Sequence, residues 1–214
     1  MSIEAVIWDF GGVITTSPFE SFNRFEAERG LPKDFIRGIN ATNPETNAWA
    51  KFESSAVSLD EFDVLFAQEA RAKGHHLGGK EVVALLSGDV RPRMVRVLKT
   101  CKENFRIACI TNNVRSGEGP GMARSAEKAS AVAEVMKLFD LVVESSVEGI
   151  RKPNPAIYTL TCERLAIDPA RAVFLDDLGI NLKPARELGM RTIKVLNESQ
   201  AIDDLARLTG LSFS

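Results

Sequence analysis

The stretch AVIWDFGGVITTSP, residues 5–18, begins as an apolar run and ends in turn residues. An unbroken apolar run is typical of a strand buried on both faces, as the strands of a parallel sheet are. The run stops at one carboxylate, Asp9, which is followed by Phe10 and two glycines. Because ligands of open α/β sheets bind outside the carboxyl ends of the strands, this acid marks a candidate site.

Similar apolar runs recur along the chain, each ending in polar or glycine-rich residues. They are FRIACIT (105–111), LVVES (141–145), AVFLDD (172–177) and TIKVL (192–196). Helical periodicity fills the intervals between them, over residues 92–102, 124–138, 154–166, 181–188 and 199–208. The alternation of strands and helices predicts an α/β fold with a doubly wound, Rossmann-like parallel sheet.

The interval from 18 to 90 is too long for one crossover connection and has the pattern of helices. Two stretches in it, SPFESFNRFEAERG and SLDEFDVLFAQEARAKG, start at a serine and end at a glycine, as capped helices do. We therefore predict a core of residues 1–17 and 91–214 with an inserted helical cap of residues 18–90. The cap holds Trp49 and seven of the twelve phenylalanines, most of which we expect in its own core, with one or two lining a pocket.

Composition limits the partners and the location of the protein. The 214 residues carry a net charge of −2 with no long basic run, which argues against nucleic acid or an anionic membrane surface as a partner. The three cysteines show no CxxC spacing and fit the reduced thiols of an intracellular protein. With no signal-peptide pattern and no apolar span of membrane length, the expected location is cytoplasmic. Both a monomer and a homodimer are compatible with the sequence.

The histidine content excludes several chemistries. The chain has two histidines, His75 and His76, adjacent in the glycine-containing stretch KGHHLGG, which is typical of a solvated loop. Histidine zinc sites and Ser-His-Asp triads both need an imidazole that neighbouring elements position. Catalysis in this chain is therefore expected from carboxylates, hydroxyls, amides and a lysine.

Polar side chains of those kinds follow the predicted strands at one edge of the sheet. They are Asp9, Thr111, Asn112, Asn113, Lys152, Asp176, Asp177 and Asn181. Each alone also fits a structural role, such as a cap or a solvated turn, but their joint placement favours a function.

The chemistry of this set favours phosphoryl transfer. Three neighbouring carboxylates repel one another unless a cation neutralises them, and oxygen ligands suit a hard ion such as Mg²⁺. A lysine beside them keeps an attacking carboxylate ionised and pairs with phosphate charge. A carboxylate that attacks phosphorus forms an acyl phosphate, which water then cleaves.

At these residues the chain resembles the haloacid dehalogenase superfamily. WDFGGV resembles the first motif of that superfamily, ITNN the second, the lysine of GIRKPNPAIY the third and FLDDLGINLKPARELGM the fourth. The last two motifs are similar to the phosphatase domain of soluble epoxide hydrolases, and the opening stretch to the phosphatase-like domains fused to acyl-CoA dehydrogenases. The resemblance covers almost the whole chain and implies an enzyme, a phosphatase of small organic phosphate monoesters that requires Mg²⁺. Lipid-like phosphates with an apolar tail are one substrate class it brings in.

The resemblance also assigns roles to the acidic residues. Asp9 is the implied nucleophile and a metal ligand, Asp177 is a direct metal ligand, and Gly11 is implied to offer its backbone carbonyl to the metal. Asp176 and Asn181 are implied to support the metal and its waters.

The remaining roles concern the phosphate group. Thr111 and Asn112 are implied to bind the phosphate, and Lys152 to anchor both the phosphate and the nucleophile. Lys152 and Thr111 thus join Asp9 in the implied catalytic set.

Gly11 departs from the superfamily pattern. Most phosphatases of the superfamily have a second aspartate there, which acts as general acid for the leaving alcohol and base for the water. A glycine keeps the carbonyl but supplies no proton relay, and such a relay contributes about 10²–10⁴ in rate. We therefore expect a slow phosphatase that prefers good leaving groups, unless a cap residue or a water takes over.

Three other readings stay open at this stage. A dehalogenase of the same fold would also use Asp9 as nucleophile, but it needs no Mg²⁺ and hence no pair of aspartates at 176 and 177. A catalytically silent phosphate-binding module is supported by Gly11. A signalling receiver domain also carries an acid cluster, a threonine and a lysine, but it is shorter, lacks a cap and has its acid pair at the first strand.

Overall fold

A computed structural model describes residues 2–114 and 126–213. Within them the chain forms one five-stranded sheet whose neighbouring strands are all parallel, in the order β3-β2-β1-β4-β5. The strands are β1 (Ala5–Trp8), β2 (Arg106–Thr111), β3 (Leu141–Glu144), β4 (Ala172–Asp176) and β5 (Arg191–Lys194). The predicted doubly wound α/β class is confirmed.

Eleven α-helices are present in the described residues. They are α1 (Pro18–Arg29), α2 (Phe35–Asn40), α3 (Ala48–Glu53), α4 (Leu59–Ala72), α5 (Gly79–Val83), α6 (Pro92–Lys102), α7 (Ala126–Met136), α8 (Ser145–Glu148), α9 (Pro155–Leu165), α10 (Gly179–Glu187) and α11 (Glu198–Thr209). The predicted start of α7 at residue 124 lies outside the described residues. None of these helices is long and apolar enough to cross a membrane.

The sheet is buried on both faces, as its unbroken apolar strands predict. In β1, Val6 and Trp8 face a cluster formed with α6, α7 and α11, whereas Ala5 and Ile7 face a cluster formed with α9 and α10. In the strand order, the chain leaves β1 toward β2 at one edge of the sheet and leaves β4 toward β5 at the other edge. The topological switch point therefore lies between β1 and β4. Ligands of such sheets bind at the switch point, and both strands end in acids there.

Helices α1 to α5 enclose a third hydrophobic cluster, in which all seven phenylalanines of the interval 18–90 and Trp49 take part. The Phe62 ring lies at its centre: its centroid is 4.4 Å from that of Phe52, 5.6 Å from Trp49 and 5.5 Å from Phe66. Helix α4 begins with a capping box at Ser58, as its serine start predicts. The division into a core of residues 1–17 and 91–214 and a cap of 18–90 stays a prediction.

Replacing Phe62 with alanine tests the importance of this cluster. Since Phe62 is fully buried, we expect the free energy of unfolding to fall by about 3–5 kcal/mol, measured by denaturant titration. The control is Val64→Ala on the same helix, where the side chain is 57% exposed and the change should stay within about 0.5 kcal/mol. Equal losses in the two variants would contradict the assignment.

Candidate active site

Three carboxylates meet where β1 and β4 end. Asp9 follows β1 directly, and its backbone N–H donates to the Leu175 carbonyl at 2.8 Å, so the strand pairing fixes its position. Asp176 is the last residue of β4, and Asp177 follows it. Each acid can offer one oxygen such that the three oxygens lie within 4.8 Å of one another. The sheet thus brings together the acids that the sequence singled out.

Lys152 is buried between two of these acids. Its Nζ lies 2.8 Å from Asp9 Oδ1 and 2.8 Å from Asp176 Oδ2, and the side chain is 1% exposed. Burial by itself lowers the pKa of the ammonium, but Asp176 and Asp9 outweigh burial and raise the pKa of Lys152 above its ordinary value. The lysine is therefore a permanent cation at this site.

One lysine does not balance three acids. Burial raises the pKa of Asp9 well above its ordinary value; Lys152 opposes this rise, while repulsion from Asp176 and Asp177 adds to it. Burial, with Asp176 next, also raises the pKa of Asp177 to about 6. A cluster of carboxylate oxygens with surplus negative charge is a donor set that fits Mg²⁺ or a similar hard cation.

The two consecutive aspartates differ in their surroundings. Asp176 is fully buried and accepts hydrogen bonds from the Leu178 N–H at 2.8 Å, from Asn181 Nδ2 at 3.1 Å to both oxygens, and from Lys152. Asp177 instead lines a cavity, and its Oδ2 accepts from the Ser17 hydroxyl at 3.2 Å. Asp176 and Asn181 therefore position the lysine, whereas Asp177 is open to a ligand.

Gly11 and Gly12, which follow Phe10, differ in the space that each leaves for a side chain. Gly12 has φ of +78°, and a Cβ atom there would lie 2.2 Å from Asp177 Oδ2, so any side chain would displace that carboxylate. A Cβ atom at Gly11 would meet nothing within 4 Å. Gly11 lines the cavity, so the position where related enzymes have an acid is open space here.

Thr111, the last residue of β2, and Asn112, which follows it, lie at the same edge of the sheet and line the cavity. The Asn112 side chain is engaged with the backbone of Lys152: its Oδ1 accepts from the Lys152 N–H at 2.8 Å, and its Nδ2 donates to the Lys152 carbonyl at 2.9 Å. This reciprocal pair positions the lysine, so a phosphate contact of Asn112 would come from its backbone. The neighbouring Asn113 is buried and donates to Glu144 Oε2 at 2.6 Å, which anchors the loop.

A cavity of about 390 Å³ lies above the carboxylates. The core supplies its polar floor, with Asp9, Thr111 and Lys152 among the lining residues. The interval 18–90 supplies an apolar wall with three aromatic residues, Phe19, Phe22 and Trp49, against the one or two that were expected to face a pocket. The cavity therefore joins an anionic centre that fits a metal to an apolar chamber.

Glu53, at the end of α3, is a lining residue that the sequence analysis missed. Its Oε2 lies 3.3 Å from Arg151 Nε and 3.5 Å from Asn112 Nδ2. Burial raises the pKa of the Glu53 carboxyl although Arg151 opposes the shift. A single glutamate in a six-residue helix carries no pattern, and its placement depends on contacts far along the chain.

The sequence model of the haloacid dehalogenase-like hydrolase family matches residues 3–189 of this chain. This chain belongs to that family. The superfamily resemblance seen in the four motifs is therefore confirmed.

Individual relatives extend this result. The chain is 33% identical to acyl-CoA dehydrogenase family member 10 of Mus musculus over 98% of its own length, and 27% identical to bifunctional epoxide hydrolase 2 of the same species over its whole length. It spans only 19% and 40% of those two relatives. Phosphatase MT3486 of Mycobacterium tuberculosis is 26% identical over 97% of this chain and 94% of that protein.

A solved structure shows the same fold. A haloacid dehalogenase-family enzyme of Bacteroides thetaiotaomicron, crystallised with magnesium and inorganic phosphate, superposes with a TM-score of 0.57 at 19% identity. The match covers 90% of this chain and 93% of that one.

The glycine pair offers a matched test of the metal site. In Gly12→Ala the new methyl group would displace Asp177, so we expect Mg²⁺ affinity to fall about 10–100-fold, the range found for residues that orient metal ligands. Gly11→Ala keeps the backbone carbonyl and fills open space, so its affinity should stay close to that of the parent protein. Isothermal titration with MgCl₂ measures both, and equal affinities in the two variants would refute the assignment.

The raised pKa of Asp177 predicts a cost in stability when no divalent metal is present. The pKa is about 6 in the folded chain against an ordinary 3.8, so the penalty is complete above pH 6 and disappears as the pH falls toward 3.8. We expect Asp177→Asn in EDTA to raise the free energy of unfolding at pH 7 by about 1–3 kcal/mol, and by less at pH 5. Denaturant titration at both pH values checks this, and a loss of stability at pH 7 would contradict it.

Proposed function

We propose that this chain is a Mg²⁺-dependent phosphatase that hydrolyses small organic phosphate monoesters through a phosphorylated Asp9. The observation that carries the proposal is the position of Lys152 Nζ, 2.8 Å from both Asp9 and Asp176, beside a third acid, Asp177. A relative of nearly equal length is named a phosphatase, and a related structure was crystallised with magnesium and phosphate, which supports the same chemistry.

In the first step Asp9 attacks phosphorus and the bond between phosphorus and the ester oxygen breaks, so that an acyl phosphate forms and the alkoxide leaves, taking a proton from water or from a side chain of the site. Lys152 favours the ionised form of Asp9 against the effect of burial and pairs with the incoming phosphate. The Thr111 hydroxyl and the Asn112 backbone N–H hold phosphate oxygens. In the second step water attacks phosphorus, which releases inorganic phosphate and restores the Asp9 carboxylate.

Asp9, Asp177 and the Gly11 carbonyl would hold Mg²⁺, which would stabilise the charge of the transferring group. Asp176 and Asn181 act indirectly, since they hold Lys152 and each other in place. The charge balance explains the choice of cation: the buried lysine neutralises one of three acids, and a divalent ion neutralises the rest.

The substrate class follows from the cavity wall. Phe19, Phe22 and Trp49 line the cavity above the carboxylates, so we expect an ester whose organic group has an apolar part. Gly11 offers no proton to the leaving oxygen, so hydrolysis is slow and favours esters whose alcohols leave readily unless another residue supplies that proton.

Hydrolysis of p-nitrophenyl phosphate tests the proposal, because its leaving group needs little acid help. We expect turnover that requires Mg²⁺ and that falls more than about 10³-fold in Asp9→Asn, since the nucleophile is lost. The matched control is Asp203→Asn, an exposed aspartate on α11, which should leave the rate unchanged. Gly11→Asp, for which the structure has room, should raise the rate on phenyl phosphate by about 10- to 100-fold.

Other outcomes would point elsewhere. Phosphate binding without turnover in a folded protein would identify a silent binding module, the function that Gly11 also favours. Release of halide from 2-chloropropionate in the absence of metal, with no phosphatase activity, would identify a dehalogenase that uses Asp9.

A further inference from the structure

A poor leaving group needs a proton donor on the side of the phosphate that faces away from the nucleophile. In an in-line displacement the ester oxygen departs opposite the attacking atom. Asp9 lies at the edge of the sheet, on the floor of the cavity, so the ester oxygen points toward helices α1 to α5. A side chain of those helices can therefore reach the leaving oxygen and replace the missing acid at Gly11.

Four carboxylates line the cavity among the described residues: Asp9, Glu45, Glu53 and Asp177. In the proposed reaction Asp9 is the nucleophile and Asp177 faces the metal. Glu45 is exposed to solvent, whereas Glu53 is 7% exposed. Glu53 is therefore the buried acid that the interval 18–90 contributes to the cavity.

A short series of contacts fixes Glu53 relative to the nucleophile. Its Oε2 is 3.5 Å from Asn112 Nδ2, and the same Nδ2 donates to the Lys152 carbonyl at 2.9 Å. Lys152 in turn reaches Asp9 with its Nζ at 2.8 Å. Arg151, which precedes Lys152 in the chain, also contacts Glu53 Oε2, with its Nε at 3.3 Å. Asn112 and Lys152 therefore link Glu53 to Asp9.

The charges around Glu53 set its protonation. Arg151, the Trp49 indole and Lys152 favour the ionised carboxylate, but burial outweighs all three and raises the pKa of Glu53 above its ordinary value. A phosphate dianion bound between Thr111 and Lys152 adds negative charge beside it and favours the protonated form further. The carboxyl is therefore suited to carry a proton when substrate is present.

We propose that Glu53 is the general acid and base of this enzyme, in place of the side chain missing at Gly11. The inference rests on the proposed function. In the first step the Glu53 carboxyl gives its proton to the ester oxygen as the bond to phosphorus breaks. In the second step the Glu53 carboxylate takes a proton from the water that attacks phosphorus, and the acid is restored.

The test compares two leaving groups in one protein. Hexyl phosphate needs a proton donor and p-nitrophenyl phosphate hardly does, so the ratio of their kcat/KM values reports acid catalysis and does not depend on how much protein is folded. In Glu53→Gln, which keeps an acceptor for Arg151, we expect this ratio to fall about 10²-fold or more. Glu28→Gln, an exposed glutamate on α1, is the control and should leave the ratio unchanged.

A rescue experiment separates catalysis from a structural role. Adding Gly11→Asp to Glu53→Gln should restore the ratio, because the second acid fills the open space beside the leaving oxygen. If Glu53 only ties α3 to Arg151, both substrates lose rate equally, the ratio does not change and the proposal is wrong. It is also wrong if the parent protein hydrolyses p-nitrophenyl phosphate but not hexyl phosphate.

The same assays distinguish this proposal from the proposed function. If Asp9→Asn abolishes hydrolysis of p-nitrophenyl phosphate while Glu53→Gln leaves the ratio intact, the phosphatase stands and the role of Glu53 falls. If the parent protein shows no turnover that requires Mg²⁺, both fall together.

Discussion

The ammonium of Lys152, held between Asp9 and Asp176, is the interaction on which the site depends. Removing an ammonium group from water costs several kcal/mol even after relaxation, so this lysine is stable in its buried position only with both acids beside it. The acids belong to the ends of β1 and β4, and Asn112, after β2, holds the lysine backbone. One buried cation thus ties together three strand ends and the loop before α9.

Without a bound metal ion, this arrangement lowers the stability of the folded chain. Asp9, Asp176 and Asp177 bring three negative charges to a buried region that contains one compensating lysine. Burial, with repulsion between the acids added to it, raises the pKa values of Asp9 and Asp177, and these shifts oppose the folded state at neutral pH. A divalent cation would remove this repulsion, so the feature that destabilises the metal-free chain is the one that would bind the metal.

Much of this site could be predicted from the sequence because it depends on local patterns. An apolar run that ends in an acid indicates a buried parallel strand, and the carboxyl ends of such strands meet at one edge, so Asp9 and Asp177 had to lie near each other. The two hydrogen bonds between the Asn112 side chain and the Lys152 backbone could not be predicted, nor could the contact of Glu53 with Asn112. They join residues 40 and 59 positions apart, and no periodicity reports a contact between single polar side chains on different elements.

The two neighbouring glycines explain how a proton donor could change its place in this fold. Gly12 is fixed by geometry, since its positive φ and the contact with Asp177 leave no room for a side chain. Gly11 meets no such limit, since a Cβ atom there would meet nothing within 4 Å. The proposed nucleophile and metal ligands therefore stay at the strand ends, while the proposed acid need only reach the leaving oxygen. Glu53 reaches the cavity from the helices that also form its apolar wall, so proton donation and recognition of the organic group would reside in the same part of the chain.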